Sequence, residues 1–162
     1  MIRIPLSQGY FATVDDEDAD LCAFSWSVHI VTKTGVPDYA KGGVGEKGKL
    51  VRVKMHREIA KRIGIDIEKY AVDHINCDPL DNRRANLRAA TPSQNSCNRR
   101  PQSNNTSGFK GVSWCKRECK FRASIRALNK QRSLGYYETP QEAYAAYCKA
   151  AASLHGEFAR FV

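Results

Sequence analysis

The sequence predicts an α+β protein of short strands and few helices, and three observations carry that prediction. Runs such as Ile2-Arg3-Ile4, Tyr10 to Val14, Ser25 to Val31 and Val51 to Met55 alternate or favour β-branched and aromatic residues, the strand pattern. Two stretches follow the helical period instead: His56 to Ile63, ending at Gly64, and the stripe Ala143, Tyr147, Ala150, Ala151 and Leu154. Clusters of Gly, Pro, Asn and Asp punctuate the rest.

Taken in order, the first 55 residues read as a strand-rich region. The acidic run Asp15-Asp16-Glu17-Asp18 reads as a solvated turn, with a short helix as its alternative, and residues 41–49 read as a Gly/Lys-rich hairpin. Residues 99–107 hold almost nothing apolar and are the expected linker, with 101–107 as the domain boundary. Beyond it Phe121, Ala123 and Ile125 alternate with Arg122, Ser124 and Arg126, a strand with one packing face and one basic face. Thr139-Pro140-Gln141-Glu142 is a capping box with proline at the first helical position, and Gly156 suits the helix end. The last third is thus expected to be a three-stranded antiparallel sheet plus one amphipathic helix.

With 42% hydrophobic and 27% charged residues, the 162-residue chain has the composition of a folded globular protein. No apolar run nears the roughly 20 residues of a membrane span, and Met1 to Pro5 lacks the pattern of a secretory signal. The expectation is therefore neither a membrane nor a secreted protein. Six cysteines include no Cys-x-x-Cys pair, so reduced packing thiols are expected rather than zinc or disulfides. The net charge of +9 is uneven. Residues 1–50 carry 5 bases and 7 acids, residues 51–98 carry 9 and 6, and residues 99–162 carry 12 and 4. A basic C-terminal third points to nucleic acid, because phosphate contacts dominate such affinities.

The chemistry concentrates between Asp73 and Asn98. Adjacent Asp73 and His74, a turn-rich loop and an Asn ahead of a helix-like stretch suit a small ββα metal site. Carboxylate and amide oxygens favour Mg²⁺ or Mn²⁺ over zinc, and a neighbouring imidazole can act as general base on water. The pattern Asp-His-Ile-x-x-x-Pro-x-x-Asn-Arg-x-x-Asn-Leu-Arg, then Thr-Pro-x-x-Gln-Asn-x-x-Asn, resembles the HNH nuclease motif in its phage and intron-encoded homing form. The resemblance covers about residues 55–100 and implies a ββα-metal nuclease core, assigned to 56–100. It makes His74 the general base, Asp73 and Asn95 the ligands of one divalent ion, and Asn86 the brace between the motif loops. His56 resembles a recurrent position of the family and is a possible further active-site residue.

The segment at about 105–161 resembles the plant ethylene-response-factor (APETALA-type) DNA-binding domain. Ser-Gly-Phe-Lys-Gly-Val-Ser-Trp (107–114), Phe-Arg-Ala-Ser-Ile-Arg (121–126) and residues 134–147 carry the likeness. That resemblance implies a DNA-binding domain at 108–162 whose sheet lies in the major groove. Lys110, Ser113, Trp114, Lys116, Arg122, Ser124, Arg126 and Arg132 would then face DNA, while Tyr136 and Tyr137 are expected to pack in the core. Together the two resemblances imply a metal-dependent, site-selective endonuclease of double-stranded DNA that leaves 5′-phosphate and 3′-hydroxyl ends. A monomer or weak dimer in the cytoplasm of a bacterial or phage-infected cell is the expected form. The alternative is a non-catalytic DNA-binding regulator on a nuclease scaffold.

Overall fold

Ile4, Ala12 and Val14 are sealed from solvent because β1 (Ile2–Pro5) and β2 (Phe11–Val14) pair antiparallel, Ile2 opposite Val14, and turn their alternate residues inward. This computed structural model describes every residue except 33–34, 45–50, 102–103, 128–129 and 162. It is a mixed α and β chain in two compact units, Met1–Thr91 and Pro92–Val162.

In the first unit β3 (Trp26–Ile30), β4 (Pro37–Val44) and β5 (Val51–Lys54) form an antiparallel sheet in that order. Helix α1 (Met55–Arg62) follows, and then β6 (Ala71–His74) pairs antiparallel with β7 (Leu87–Ala90). Ile4, Val14, Leu21, Trp26, Val28, Met55, Ile59 and Leu87 share one core. The boundary expected at residue 55 therefore cuts through packed side chains. Strand β4 replaces half of the expected hairpin, and residues 45–50 lie outside the described part. Its Gly42-Gly43 reads as a turn signal, yet Gly42 is there to let Trp26 approach: a Cβ would sit 2.7 Å from that ring.

The acidic run is solvated only in part, since Asp16 and Glu17 are exposed and Asp18 is not. Asp16–Ala23 form 3₁₀ turns, and Asp18 is 0% exposed. Arg62 donates to Asp18 at 3.1 Å and to Asp20 at 2.7 Å, while Arg84 Nε donates to Asp18 at 2.8 Å. Burial pushes the Asp18 carboxyl upward, but Arg84 and Arg62 outweigh it and the net shift is downward. Of the run, Asp18 is held by the two arginines, whereas Asp16 pairs with the N-terminal ammonium and Glu17 is exposed.

In the second unit α2 (Pro92–Cys97) precedes an antiparallel sheet ordered β10 (Lys130–Tyr137), β9 (Lys120–Ala127), β8 (Val112–Cys115), against which α3 (Pro140–His155) packs. Thr139 and Glu142 form the reciprocal cap read from the sequence. Ala123, Ile125, Ala143, Tyr147 and Ala151 make the core, and Gly111 admits Tyr147, whose ring a Cβ would meet at 2.2 Å. Two residues depart from expectation: Leu154, at 40% exposed, stands outside the buried stripe, and Tyr136 is 39% exposed rather than core. The expected linker also narrows, because Asn105 and Ser107 bond to Phe109 and Val112 of this unit. Among the described residues no helix is long and apolar enough to cross a membrane.

Candidate active site

Strand β6 ends in the residues that carry the chemistry. Its register sets Asp73 opposite Arg88 and His74 opposite Leu87, so the two neighbours leave the ribbon on opposite faces. Asp73 is 5% exposed, and Arg88 Nε donates to its Oδ2 at 2.9 Å. That guanidinium keeps a buried carboxylate paired, without which its desolvation would be costly.

The loop from Ile75 to Asn86 is stitched by its own amides. Asn86 Oδ1 accepts from the Asn76 backbone N–H at 3.0 Å, and its Nδ2 donates to Asn76 Oδ1 at 3.0 Å and to the Asp81 carbonyl at 2.7 Å. Asn76 donates in turn to Asp81, which also accepts a two-pronged contact from Arg83 at 2.8 and 2.6 Å. Arg83 thereby holds the Asp81 carboxyl below its usual range. The loop is docked on β2 by backbone bonds, Thr13 N–H to the Leu80 carbonyl and Asn82 N–H to the Thr13 carbonyl, both 2.8 Å. Asn86 thus braces the loop that presents His74.

Sequence reasoning missed Asn82. It is fully buried, and its Nδ2 donates to the Leu80 carbonyl at 3.2 Å and to Met55 Sδ at 3.5 Å. Those bonds turn Oδ1 toward His74, where it accepts from Nε2 at 3.2 Å. The Asn82-Arg83 dipeptide inside the motif was the available signal. Burial pushes the His74 imidazole below its ordinary range, opposed by this bond and by the carboxylates of Asp73, Asp78 and Asp81. A neutral His74 at pH 7 follows, the form a general base needs.

His56 lies beside it, the two rings edge to face at 5.2 Å between centroids. Burial, His74, Lys54 and Arg57 push its pKa down to about 3, and its Nδ1 is buried with no hydrogen-bond partner among the described residues. His56 is therefore a neutral ring packed on the base. Asn95 stands on α2, in the second unit, so the first unit by itself assembles Asp73, His74, Asn82, Asn86 and His56.

The donor chemistry fits a hard divalent ion. No cluster of three His, Cys, Asp or Glu, such as zinc takes, converges among the described residues. Mg²⁺ needs less, because it keeps several waters and takes one or two protein oxygens plus substrate phosphate.

In the second unit the register sorts the residues expected to meet DNA. Ser113 pairs with Arg122, Arg126 with Gln131, Ser124 with Ser133 and Arg122 with Tyr136, so these share the face turned away from α3. Trp114 pairs with Phe121 and Arg132 with Ile125, which puts both on the opposite face. Trp114 is 48% exposed there and packs edge-on against Phe121 at 4.9 Å. Lys116 lies in the β8–β9 turn, and Lys110 donates to the Cys97 carbonyl.

The family described as HNH endonuclease matches residues 53–97. Among curated proteins, Protein 3.8 of Escherichia phage T7 is 39% identical over 92 residues, 57% of this chain and 75% of that protein. An uncharacterised HNH endonuclease of Acanthamoeba polyphaga mimivirus is 33% identical over 121 residues, 74% of this chain and 62% of its own length. No solved structure matches. An Asp-His pair at a strand end, a loop braced by Asn86 and these relatives lead to one statement: the chain belongs to the family of phage T7 Protein 3.8 and carries an HNH endonuclease domain.

Proposed function

We propose that this protein is a metal-dependent, site-selective DNA endonuclease of the homing type, in which the first unit cuts and the second reads. The observation that carries the reading is His74, neutral and oriented by Asn82, beside the buried Asp73. His74 removes the proton from a water in line with the scissile phosphate; the new bond joins that oxygen to phosphorus as the bond to the 3′ oxygen breaks. The products are a 5′-phosphate and a 3′-hydroxyl. Asn86 holds the loop so that His74 is presented rather than mobile. HNH nucleases generally use a divalent metal, and the Asp73 carboxylate would hold one Mg²⁺ or Mn²⁺ here. Such an ion would supply positive charge that stabilises the reacting phosphate. Arg88 pairs with Asp73 at 2.9 Å.

The second unit supports the reading role through Ser113, Arg122, Ser124 and Arg126 on one open sheet face, as in the APETALA-type domain it resembles. Arg122 Nε is buried with no hydrogen-bond partner among the described residues. With one motif per chain, each chain cuts one strand at a time, and the protein acts as a monomer or weak dimer in the cytoplasm of a bacterial or phage-infected cell. Supercoiled plasmid incubated with Mg²⁺ or Mn²⁺ should convert to the nicked form, and EDTA should prevent it. Binding of duplex DNA without nicking under any ion would instead favour the regulator on a nuclease scaffold.

A further inference from the structure

The sheet β3-β4-β5 has two unlike faces. Trp26, Val28 and Ala40 turn into the core, while the register groups His29, Tyr39, Lys41, Arg52 and Lys54 on the other side. His29 and Tyr39 stack at 4.5 Å with an interplanar angle of 7°, and Lys54 Nζ sits 4.1 Å above the Tyr39 ring. Lys41 stands directly opposite Lys54 across the ladder, and Lys41, Arg52 and Lys54 are all exposed. None of the three forms an ion pair with a described residue. Like charges facing each other across a strand pair are unfavourable, so this arrangement calls for an anion from outside.

The same face runs into the candidate active site. Tyr39 meets His56 edge-on at 6.2 Å, and His56 meets His74 at 5.2 Å. We infer that this outer sheet face binds the sugar–phosphate backbone of duplex DNA flanking the cut, with Lys41, Lys54 and Arg52 on successive phosphates and the stacked Tyr39 holding the Lys54 ammonium in place. The inference rests on the nuclease reading only for the position of the cut, because the binding itself is independent of cleavage. Charge counting along the chain hides this surface. Residues 1–50 hold more acids than bases, but five of the seven acids lie between Asp15 and Asp20, where Arg62 and Arg84 engage Asp18 and Asp20. Among the described residues Asp38 is an acid beside the face, 3.5 Å from His29.

The test uses the full chain carrying His74→Ala, so that binding is read without cleavage. In that background Lys41→Gln with Lys54→Gln should weaken binding of a short non-specific duplex about tenfold or more. It should also reduce the slope of log affinity against log salt by about two, near one per phosphate contact. Unchanged affinity and slope would overturn the inference. Acetylation of surface lysines read by mass spectrometry, on the unmutated chain, gives a measure that needs no variant to fold. Lys41 and Lys54 should be protected when duplex is present, and equal labelling with and without DNA would overturn the inference. If the unmutated chain nicks no plasmid with any ion, the nuclease reading fails, while both binding measurements still decide the sheet face.

Discussion

Asn82 Oδ1 lies 3.2 Å from His74 Nε2, and the other end of the same amide is tied to Leu80 and Met55. An amide oxygen only accepts, so the imidazole proton sits on Nε2 and the lone pair of neutral His74 is on Nδ1. Asn82→Ala should lower kcat by roughly 10–100-fold, the usual cost of removing a group that orients a catalytic ligand or base. KM should barely change, because Asn82 is buried away from DNA. Steady-state nicking on a labelled duplex separates the two constants.

Acid should weaken both the fold and the activity. The His56 pKa is about 3 in the native protein against an ordinary 6.5. Between those values the unfolded chain takes a proton that the folded chain refuses, so stability falls as pH falls from about 6.5 toward 3. This group contributes a slope of up to ~1.4 kcal/mol per pH unit. His74, also lowered, acts in the same direction. Urea unfolding at a series of pH values should show the decline, and His56→Gln should flatten it. The nicking rate should hold down to about pH 6.5 and fall below it as His74 protonates.

Asp73→Asn should abolish detectable nicking in Mg²⁺, because it removes the carboxylate that an ion would use and leaves Arg88 facing a neutral amide. Titrating EDTA into the unmutated protein should stop turnover, and Mn²⁺ or Mg²⁺ should restore it. Activity that persists after exhaustive chelation would remove Asp73 from the ligand role.

Arg122 and Arg126 project from one face of β9. Arg122→Ala and Arg126→Ala should each cost about 1–3 kcal/mol of affinity for the preferred site and relax the choice of base there. Nicking of non-specific plasmid should change little. Binding to a library of duplexes, sequenced before and after selection, reads the loss directly.

Asp18→Ala should destabilise the protein by about 3 kcal/mol. That is the low end of the range for breaking a buried ion pair, since both arginines keep a solvent-facing edge. The shift in the urea midpoint measures it, with Asp16→Ala, an exposed residue paired to the N-terminus, as the contrast.

The elements with strong local periodicity or caps were legible from the residues alone. Strands β1 and β2, helix α1 ending before Gly64 and the Thr139–Glu142 cap of α3 belong to this class, because a few neighbouring residues specify them. Strand β4 was not, since its Gly42-Gly43 answers to the bulk of Trp26, 16 residues away in sequence and directly opposite in register. Asp18 and Tyr136 were misread for the same reason. A charge is buried only if a distant Arg62 and Arg84 meet it, and an aromatic packs only if the register turns it inward. In the site, Asp73, His74 and Asn86 stood out as a spaced pattern. Asn82 was marked by the Asn82-Arg83 dipeptide, but its role shows in what it touches.

The two backbone bonds between Thr13 and the loop at Leu80 and Asn82, together with Asp15 accepting from the Arg84 N–H at 2.7 Å, bear on how such a protein can be recombined. The matched stretch 53–97 is contiguous in sequence, yet the loop that positions His74 hangs on a strand more than 60 residues upstream. A cleavage cassette moved into another host by exchanging that stretch alone would arrive without the edge that β2 supplies. Its catalytic loop would inherit a neighbour that never evolved to receive it. A chimera drawn at the end of Met1–Thr91 keeps the bonds from Thr13 and Asp15 that hold this loop.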